Sequence, residues 1–253
     1  MVRAKKHLGQ HFLKDTNIAG KISSSLVNDK NLEILEIGPG TGILTKFLID
    51  RDEKLSLVEI DNESVEYLKE NFNQDDFRLL NLDFLKMDLE EYFSDEFCII
   101  GNFPYNISSQ IFFKLLDNRD RIPELSGMIQ KEVAERIASV HGNKTYGILS
   151  VLLQLFFKIE YLFTVSEHVF VPPPRVKSAV IRLTRYRTEI DGVDFSKLKL
   201  IVKTSFNQRR KTLRNSLKSI LPSGFITDSE VFNKRPEQLS PEEFVYLTVM
   251  IFK

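Results

Sequence analysis

Glu36-Ile-Gly-Pro-Gly-Thr-Gly42 closes the apolar run Leu32–Ile37 and leads into the helical pattern Leu44-Phe47-Leu48, and this junction decides the fold. Glycines at a strand-to-helix turn let the main chain approach a ligand that a Cβ would hold away. Working outward, the short apolar runs Leu55–Ile60, Phe77–Leu80, Phe97–Gly101 and Leu125–Gln130 read as further strands. Helical patterns such as Val65-Leu68 lie between them. Strands alternating with helices predict βαβ units: a mainly parallel sheet with helices on both faces, the α/β class. Lys158–Thr164 and Ser178–Thr184 follow with little helical pattern between them, which predicts an antiparallel pair closing the sheet.

The pattern changes near Tyr186. Beyond it come only helical stretches, Phe195–Ser205, Phe206–Leu221 and Pro241–Ile251, with Pro222-Ser-Gly224 as a break. In the second, Leu213, Leu217 and Ile220 fall on one face and Lys211, Arg214 and Lys218 on another. The boundaries predict a ligand-binding domain over residues 1–186 and a small all-helical domain over 187–253.

Composition narrows the function. Of 253 residues, 42% are hydrophobic and 28% charged, a globular balance that argues against disorder. Cys98, alone in the chain and set in Phe97-Cys-Ile-Ile100, reads as a buried structural thiol in a reducing compartment. Met1–His7 lacks the apolar core of a secretion signal, and the longest apolar stretch, Ile148–Phe157, is too short to cross a bilayer. The expectation is an intracellular, soluble, cytoplasmic protein with no membrane partner. Net charge is zero but unevenly spread: residues 50–96 carry sixteen Asp/Glu against five Lys/Arg, a local −11. Three segments run the other way: Arg3, Lys5, Lys6 and Lys14; Arg175, Lys177, Arg182, Arg185 and Arg187; and Lys203, Arg209, Arg210, Lys211, Arg214 and Lys218. Local patches, not the total, decide phosphate binding.

A dinucleotide fingerprint needs glycine at position 43, where Ile43 stands. The spacing of Gly38, Gly40 and Gly42 instead resembles the first motif of class I methyltransferases, and that resemblance implies S-adenosylmethionine. Glu59 ends the second strand pattern, where an acid can accept both ribose hydroxyls. Asp83 ends the third and can accept from the cofactor's adenine amine. Asp61 reads as the cap of a helix starting at Asn62.

Asn102-Phe-Pro-Tyr105 ends the fourth strand pattern, at the carboxyl edge where open α/β sheets bind ligands. Adenine N6 is a poor nucleophile because its lone pair is delocalised. The Asn102 side-chain oxygen and the Phe103 carbonyl can both accept hydrogens from such an amine and aim it at a methyl donor. Pro104 stiffens the turn, and Tyr105 offers a ring face for the base. No histidine base is required, because orientation toward a sulfonium methyl supplies much of the acceleration. His7, His11, His141 and His168 are dispersed, so no metal site is expected.

Asn102–Tyr105 followed by Asn106-Ile-Ser resembles the rRNA adenine dimethyltransferase family. Leu8-Gly-Gln-His-Phe-Leu13, Gln130-Lys-Glu-Val133, Val171-Pro-Pro-Pro-Arg-Val-Lys-Ser-Ala-Val180, Phe206-Asn-Gln-Arg-Arg-Lys-Thr-Leu-Arg-Asn215 and Arg235-Pro-Glu-Gln-Leu-Ser240 match it too. The resemblance implies a Rossmann-like class I S-adenosylmethionine-dependent methyltransferase with a seven-stranded sheet. It implies dimethylation of two adjacent adenosines near the 3′ end of small-subunit rRNA, within a pre-ribosomal particle late in assembly; for a protein whose partner is so large, a monomer is the default expectation. By the same carry-over His11, Leu13, Gly38, Gly40, Glu59, Asp83 and Asn102 contact the cofactor. Phe170 stacks on the flipped adenine opposite Tyr105. Arg175, Lys177, Arg209, Arg210, Lys211, Arg214 and Lys218 bind RNA. His11 departs from the family's usual Asn, and Phe103 from its usual Leu, whose greater bulk can narrow the pocket. The rival readings are a large-subunit rRNA adenine methyltransferase of the antibiotic-resistance type and an RNA-binding assembly factor.

Overall fold

The computed structural model describes residues 2–252, and in it the chain packs as two units. The first comprises Met1–Ala134 and Ile159–Arg185, the second Glu135–Lys158 and Tyr186–Lys253. The helical unit therefore takes in a middle segment that the sequence assigned to the first domain. That segment includes a helix whose inward face, Leu149, Val151, Leu152 and Leu153, is buried.

In order, the strands are β1 (Phe12–Leu13), β2 (Glu33–Ile37), β3 (Leu55–Val58), β4 (Arg78–Leu80), β5 (Phe97–Asn102), β6 (Glu124–Gln130), β7 (Phe157–Val165), β8 (Phe170–Val171) and β9 (Ser178–Arg185). Seven form one sheet in the order β4-β3-β2-β5-β6-β9-β7. Parallel pairing runs from β4 to β6, with Ile37 opposite Val58 and Glu36 opposite Ile100. β9 is antiparallel to β6. Strands with both faces covered read as continuous apolar runs, and β2, β3 and β5 are buried along almost their whole length. The sheet order reverses between β2 and β5, which places a crevice at their carboxyl ends.

Local chemistry sets the helix starts. Asp15 caps α1 (Thr16–Ser23), its carboxylate accepting from the Asn17 and Ile18 amides at 2.9 and 3.1 Å. After α2 (Thr45–Ile49), Asp61 caps α3 (Asn62–Asn71) through the Glu63 amide at 3.1 Å, as expected from the sequence. α4 (Leu89–Tyr92) and α5 (Ser108–Asp117) complete the crossovers.

In the helical unit, α8 (Phe195–Asn207) and α10 (Pro241–Phe252) match expectation and pack together, Phe206 stacking on Phe244 with ring centroids 5.9 Å apart; α7 (Ile148–Gln154) precedes them, and α6 (Lys131–Ala138) begins in the first unit and ends in the second. The single helix expected over Phe206–Leu221 is not formed. α8 ends at Asn207, residues 208–212 make a turn closed by the Lys211 amide on the Gln208 carbonyl, and α9 is only Leu213–Ser216. Leu213 donates its amide to the Lys234 carbonyl instead of to the preceding turn. Tertiary hydrogen bonding overrides the helical periodicity. Leu213 and Leu217 are nevertheless buried, and Lys211, Arg214 and Lys218 exposed.

Candidate active site

The crevice at the β2–β5 switch point is walled by three pieces of chain. The glycine loop after β2 gives Gly38, Pro39 and Gly40; the end of β3 gives Glu59 and Ile60; and the end of β5 gives Asn102–Tyr105. A fourth piece roofs it, Leu8–Leu13 of the N-terminal segment.

The roof is fastened at both ends. Lys5 makes an ion pair with Asp61 and another with Glu63 at 3.2 Å, and Gln10 Nε2 donates to Asp61 Oδ2 at 3.0 Å. Burial pushes the Asp61 carboxyl up, but Lys5 and Gln10 outweigh it and hold it below the usual range. At the far end β1 pairs antiparallel with β8, Phe12 opposite Val171 and Leu13 opposite Phe170. Gly40 stands at φ 56°, and a Cβ there would lie 2.9 Å from the Phe12 ring, so only glycine admits this roof.

Two carboxylates lie inside. Glu59, 5% exposed, accepts from the Gly40 amide at 3.1 Å and the Asp61 amide at 2.9 Å. Its pKa is raised by burial, against the pull of those amides. Glu36, 1% exposed, accepts from Thr45 Oγ1 at 2.7 Å and is pushed up to about 8 by burial, with the nearby Glu59 charge adding to the effect.

At the catalytic end Asn102 Nδ2 donates to the His11 carbonyl at 3.2 Å. The Tyr105 hydroxyl is hydrogen-bonded to Ser178 Oγ, and burial raises its pKa. His11 lies beside Tyr105 with ring centroids 5.3 Å apart, and its Nδ1 donates to the Pro172 carbonyl at 2.8 Å. The Phe103 ring is 1% exposed and packs over Gly101 and Gly127 of the sheet.

Of the residues singled out from sequence, His11, Leu13, Gly38, Gly40, Glu59, Asn102, Phe103, Pro104 and Tyr105 all line this crevice. Two do not. Asp83 caps its own turn, Oδ1 accepting from the Leu85 amide at 3.0 Å with Lys86 Nζ 3.9 Å from Oδ2. Phe170 is 1% exposed in the apolar core with Leu13, Val165 and Val180, because strand alternation in β8 sends Val171, not Phe170, outward. Phe170 does not face the crevice.

Sequence reading also missed contributors. Ile60, 49% exposed, puts an apolar side chain beside Glu59, and Glu36, Thr45 and Gln10 had roles that no periodicity signals. The basic run after the prolines divides. Arg182 pairs with Glu160 at 3.0 Å, Arg185 with Glu96 and Arg187 with Glu242 at 2.7 Å, so these are internal ties. Arg175 and Lys177 stay exposed. In the helical unit Arg209 donates to the Asn143 carbonyl at 3.1 Å and lies 3.9 Å from Glu237, which makes it a loop tie rather than a free cation; Arg210, Lys211 and Lys218 are exposed. Arg214 is exposed and donates to Asn233 Oδ1 at 3.2 Å.

Among the described residues no helix is long and apolar enough to cross a membrane. Comparison with known proteins identifies the family. A family model described as ribosomal RNA adenine dimethylase matches residues 1–249. "Ribosomal RNA small subunit methyltransferase A" of Parabacteroides distasonis is 57% identical over 251 residues, covering 99% of this chain and 94% of that protein. The protein of the same name from Porphyromonas gingivalis is 56% identical, covering 99% and 98%. Among solved structures, a dimethyladenosine transferase from Plasmodium falciparum superposes with a TM-score of 0.79 at 26% identity, covering 94% of this chain and 96% of that one. The 23S rRNA methyltransferase ErmE gives 0.66 at 26% identity, covering 96% and 100%.

Proposed function

This chain belongs to the ribosomal RNA adenine dimethylase family, and we propose that its crevice carries out that chemistry on two adjacent adenosines near the 3′ end of small-subunit rRNA. It is an S-adenosylmethionine-dependent rRNA adenine dimethyltransferase acting on the small subunit. The large-subunit alternative is the more distant match: ErmE is 26% identical, against 57% for the small-subunit relatives.

The crevice fits the cofactor. Gly40 leaves main chain bare where a Cβ would collide, buried Glu59 stands at the edge and Ile60 offers an apolar wall. Gly38, Gly40, Glu59, Leu13 and the His11 main chain would hold it. When bound, S-adenosylmethionine supplies an electrophilic methyl on a sulfonium.

The chain's own residues supply orientation. The observation that carries the reading is the Asn102–His11 bond, which commits Nδ2 and leaves Oδ1 as an acceptor. Asn102 Oδ1 and the Phe103 carbonyl accept the hydrogens of the adenine amine and draw its lone pair out of the ring. Tyr105, braced by Ser178 and His11, provides the face on which the flipped base stacks. Pro104 holds the turn. Phe170, enclosed in the apolar core, has no part in this scheme.

The helical unit and the exposed cations Arg175, Lys177, Arg210, Lys211, Arg214 and Lys218 supply the RNA contacts, in a cytoplasmic monomer acting on a late pre-ribosomal particle. Transfer of labelled methyl to small-subunit particles lacking the modification tests this, with large-subunit particles alongside. Dimethyladenosine confined to small-subunit rRNA is expected; label in large-subunit rRNA would overturn it.

A further inference from the structure

β5 and β6 pair with Gly101 directly opposite Gly127, which leaves a patch of sheet without side chains. Phe103 stands two residues beyond Gly101 and so projects to the same face. Its ring lies back over that patch. Cδ1 and Cε1 lie 2.9 and 2.8 Å from where a Cβ on Gly101 would be, and Cε2 and Cζ lie 2.4 and 2.7 Å from where one on Gly127 would be. Phe112 meets the ring edge-on with centroids 6.5 Å apart, and the Phe103 amide donates to the Met128 carbonyl at 3.0 Å. The ring is thus enclosed, 1% exposed, and joined through a single methylene to the backbone that carries the proposed acceptor carbonyl.

We propose that Gly101 and Gly127 are positioning residues for methyl transfer: the bare patch they leave seats the Phe103 ring and so aims the Asn102–Phe103 acceptor pair at the target amine. The inference rests on the acceptor role given to Phe103 above. A methyl at position 127 is not relieved by sliding the ring, because the Gly101 backbone and the Phe112 ring flank it. Relief comes from the Phe103 main chain, which displaces the carbonyl. A misplacement of about 1 Å suffices for a large rate loss. The second transfer suffers more than the first, because a monomethylated amine has one hydrogen left and relies more on the shape around it.

The test is a cycle of Gly127→Ala, Phe103→Leu and the double variant in the full-length enzyme, with methyl-deficient small-subunit particles as substrate. Gly127→Ala is expected to lower kcat at least tenfold. Cofactor Kd by calorimetry and KM for the particles should stay within threefold, and monomethyladenosine should accumulate. Leucine lacks the atoms that meet the new methyl most closely, so Gly127→Ala added to Phe103→Leu is expected to cost less than threefold. A kcat for Gly127→Ala within twofold of wild type overturns the proposal, as does an equal loss in both backgrounds. If Gly127→Ala does not fold, the Phe103→Leu pair decides alone: a tenfold further loss in the double variant overturns it. Failure of the underlying assignment looks different, because the unmodified enzyme would then transfer no methyl to these particles.

Discussion

The side-chain amide of Asn102 donates to the main-chain carbonyl of His11 at 3.2 Å, joining the end of β5 to the N-terminal roof. The hydrogen bond orients the amide and explains why a segment 91 residues away in sequence belongs to the active site. The identity of residue 11 matters less to this bond than its backbone position.

Asn102→Ala should lower kcat on the order of 10²-fold, the cost of losing an aimed acceptor. Asn102→Asp should do no better, because a carboxylate cannot donate to the His11 carbonyl. Single-turnover methyl transfer measures both. An alanine variant within tenfold of wild type would show that orientation by this residue is not what drives the reaction.

Tyr105→Ala should weaken productive RNA engagement by roughly 1–3 kcal/mol, the worth of one base–aromatic stack. Tyr105→Phe keeps the ring and loses only the hydroxyl bonded to Ser178, so its activity should stay within a few-fold. Equal loss in both variants would transfer the role from the ring to the hydroxyl.

Glu36 gives the ligand-free protein a pH signature. Its carboxyl rises from an ordinary 4.5 to about 8 in the fold. Between those values the folded chain holds a proton that the unfolded chain has lost, so this group's stability is fully present below pH 4.5 and is lost as pH rises through 8. Glu36→Gln stays neutral throughout. Its advantage in thermal unfolding should be small near pH 5 and grow by about 1 kcal/mol per pH unit toward 8. An advantage independent of pH would mean that Glu36 is ionised in the folded state.

The basic residues separate into two classes by salt dependence. Replacing exposed Arg210 and Lys211 together should weaken RNA binding and reduce the slope of log K against log salt by about 2, one for each phosphate no longer neutralised. Arg185→Ala breaks ties to Glu96 and to the Arg119 and Asp120 carbonyls, so it should lower the unfolding midpoint and leave the salt slope unchanged. Filter binding across a salt series distinguishes them.

The sequence by itself determined the alternation of strands and helices, the glycine turn after β2, the Asp61 cap and the Asn102–Tyr105 turn at a strand end. Each is a local matter of period, φ and side-chain reach within a few residues. Only the tertiary structure decided the rest. Residues 135–158 join the helical unit because buried packing, not chain order, groups elements. The helix over 206–221 breaks because the Leu213 amide finds Lys234. Phe170 turns to the core, a choice that depends on which partners the fold brings near, whereas the Asp83 cap on the Leu85 amide is local. The arginines after the prolines look alike in sequence, yet Arg182, Arg185 and Arg187 are tied to Glu160, Glu96 and Glu242 while Arg175 is left at the surface. Those acids lie 22, 89 and 55 positions from their partners, a separation that no local pattern encodes.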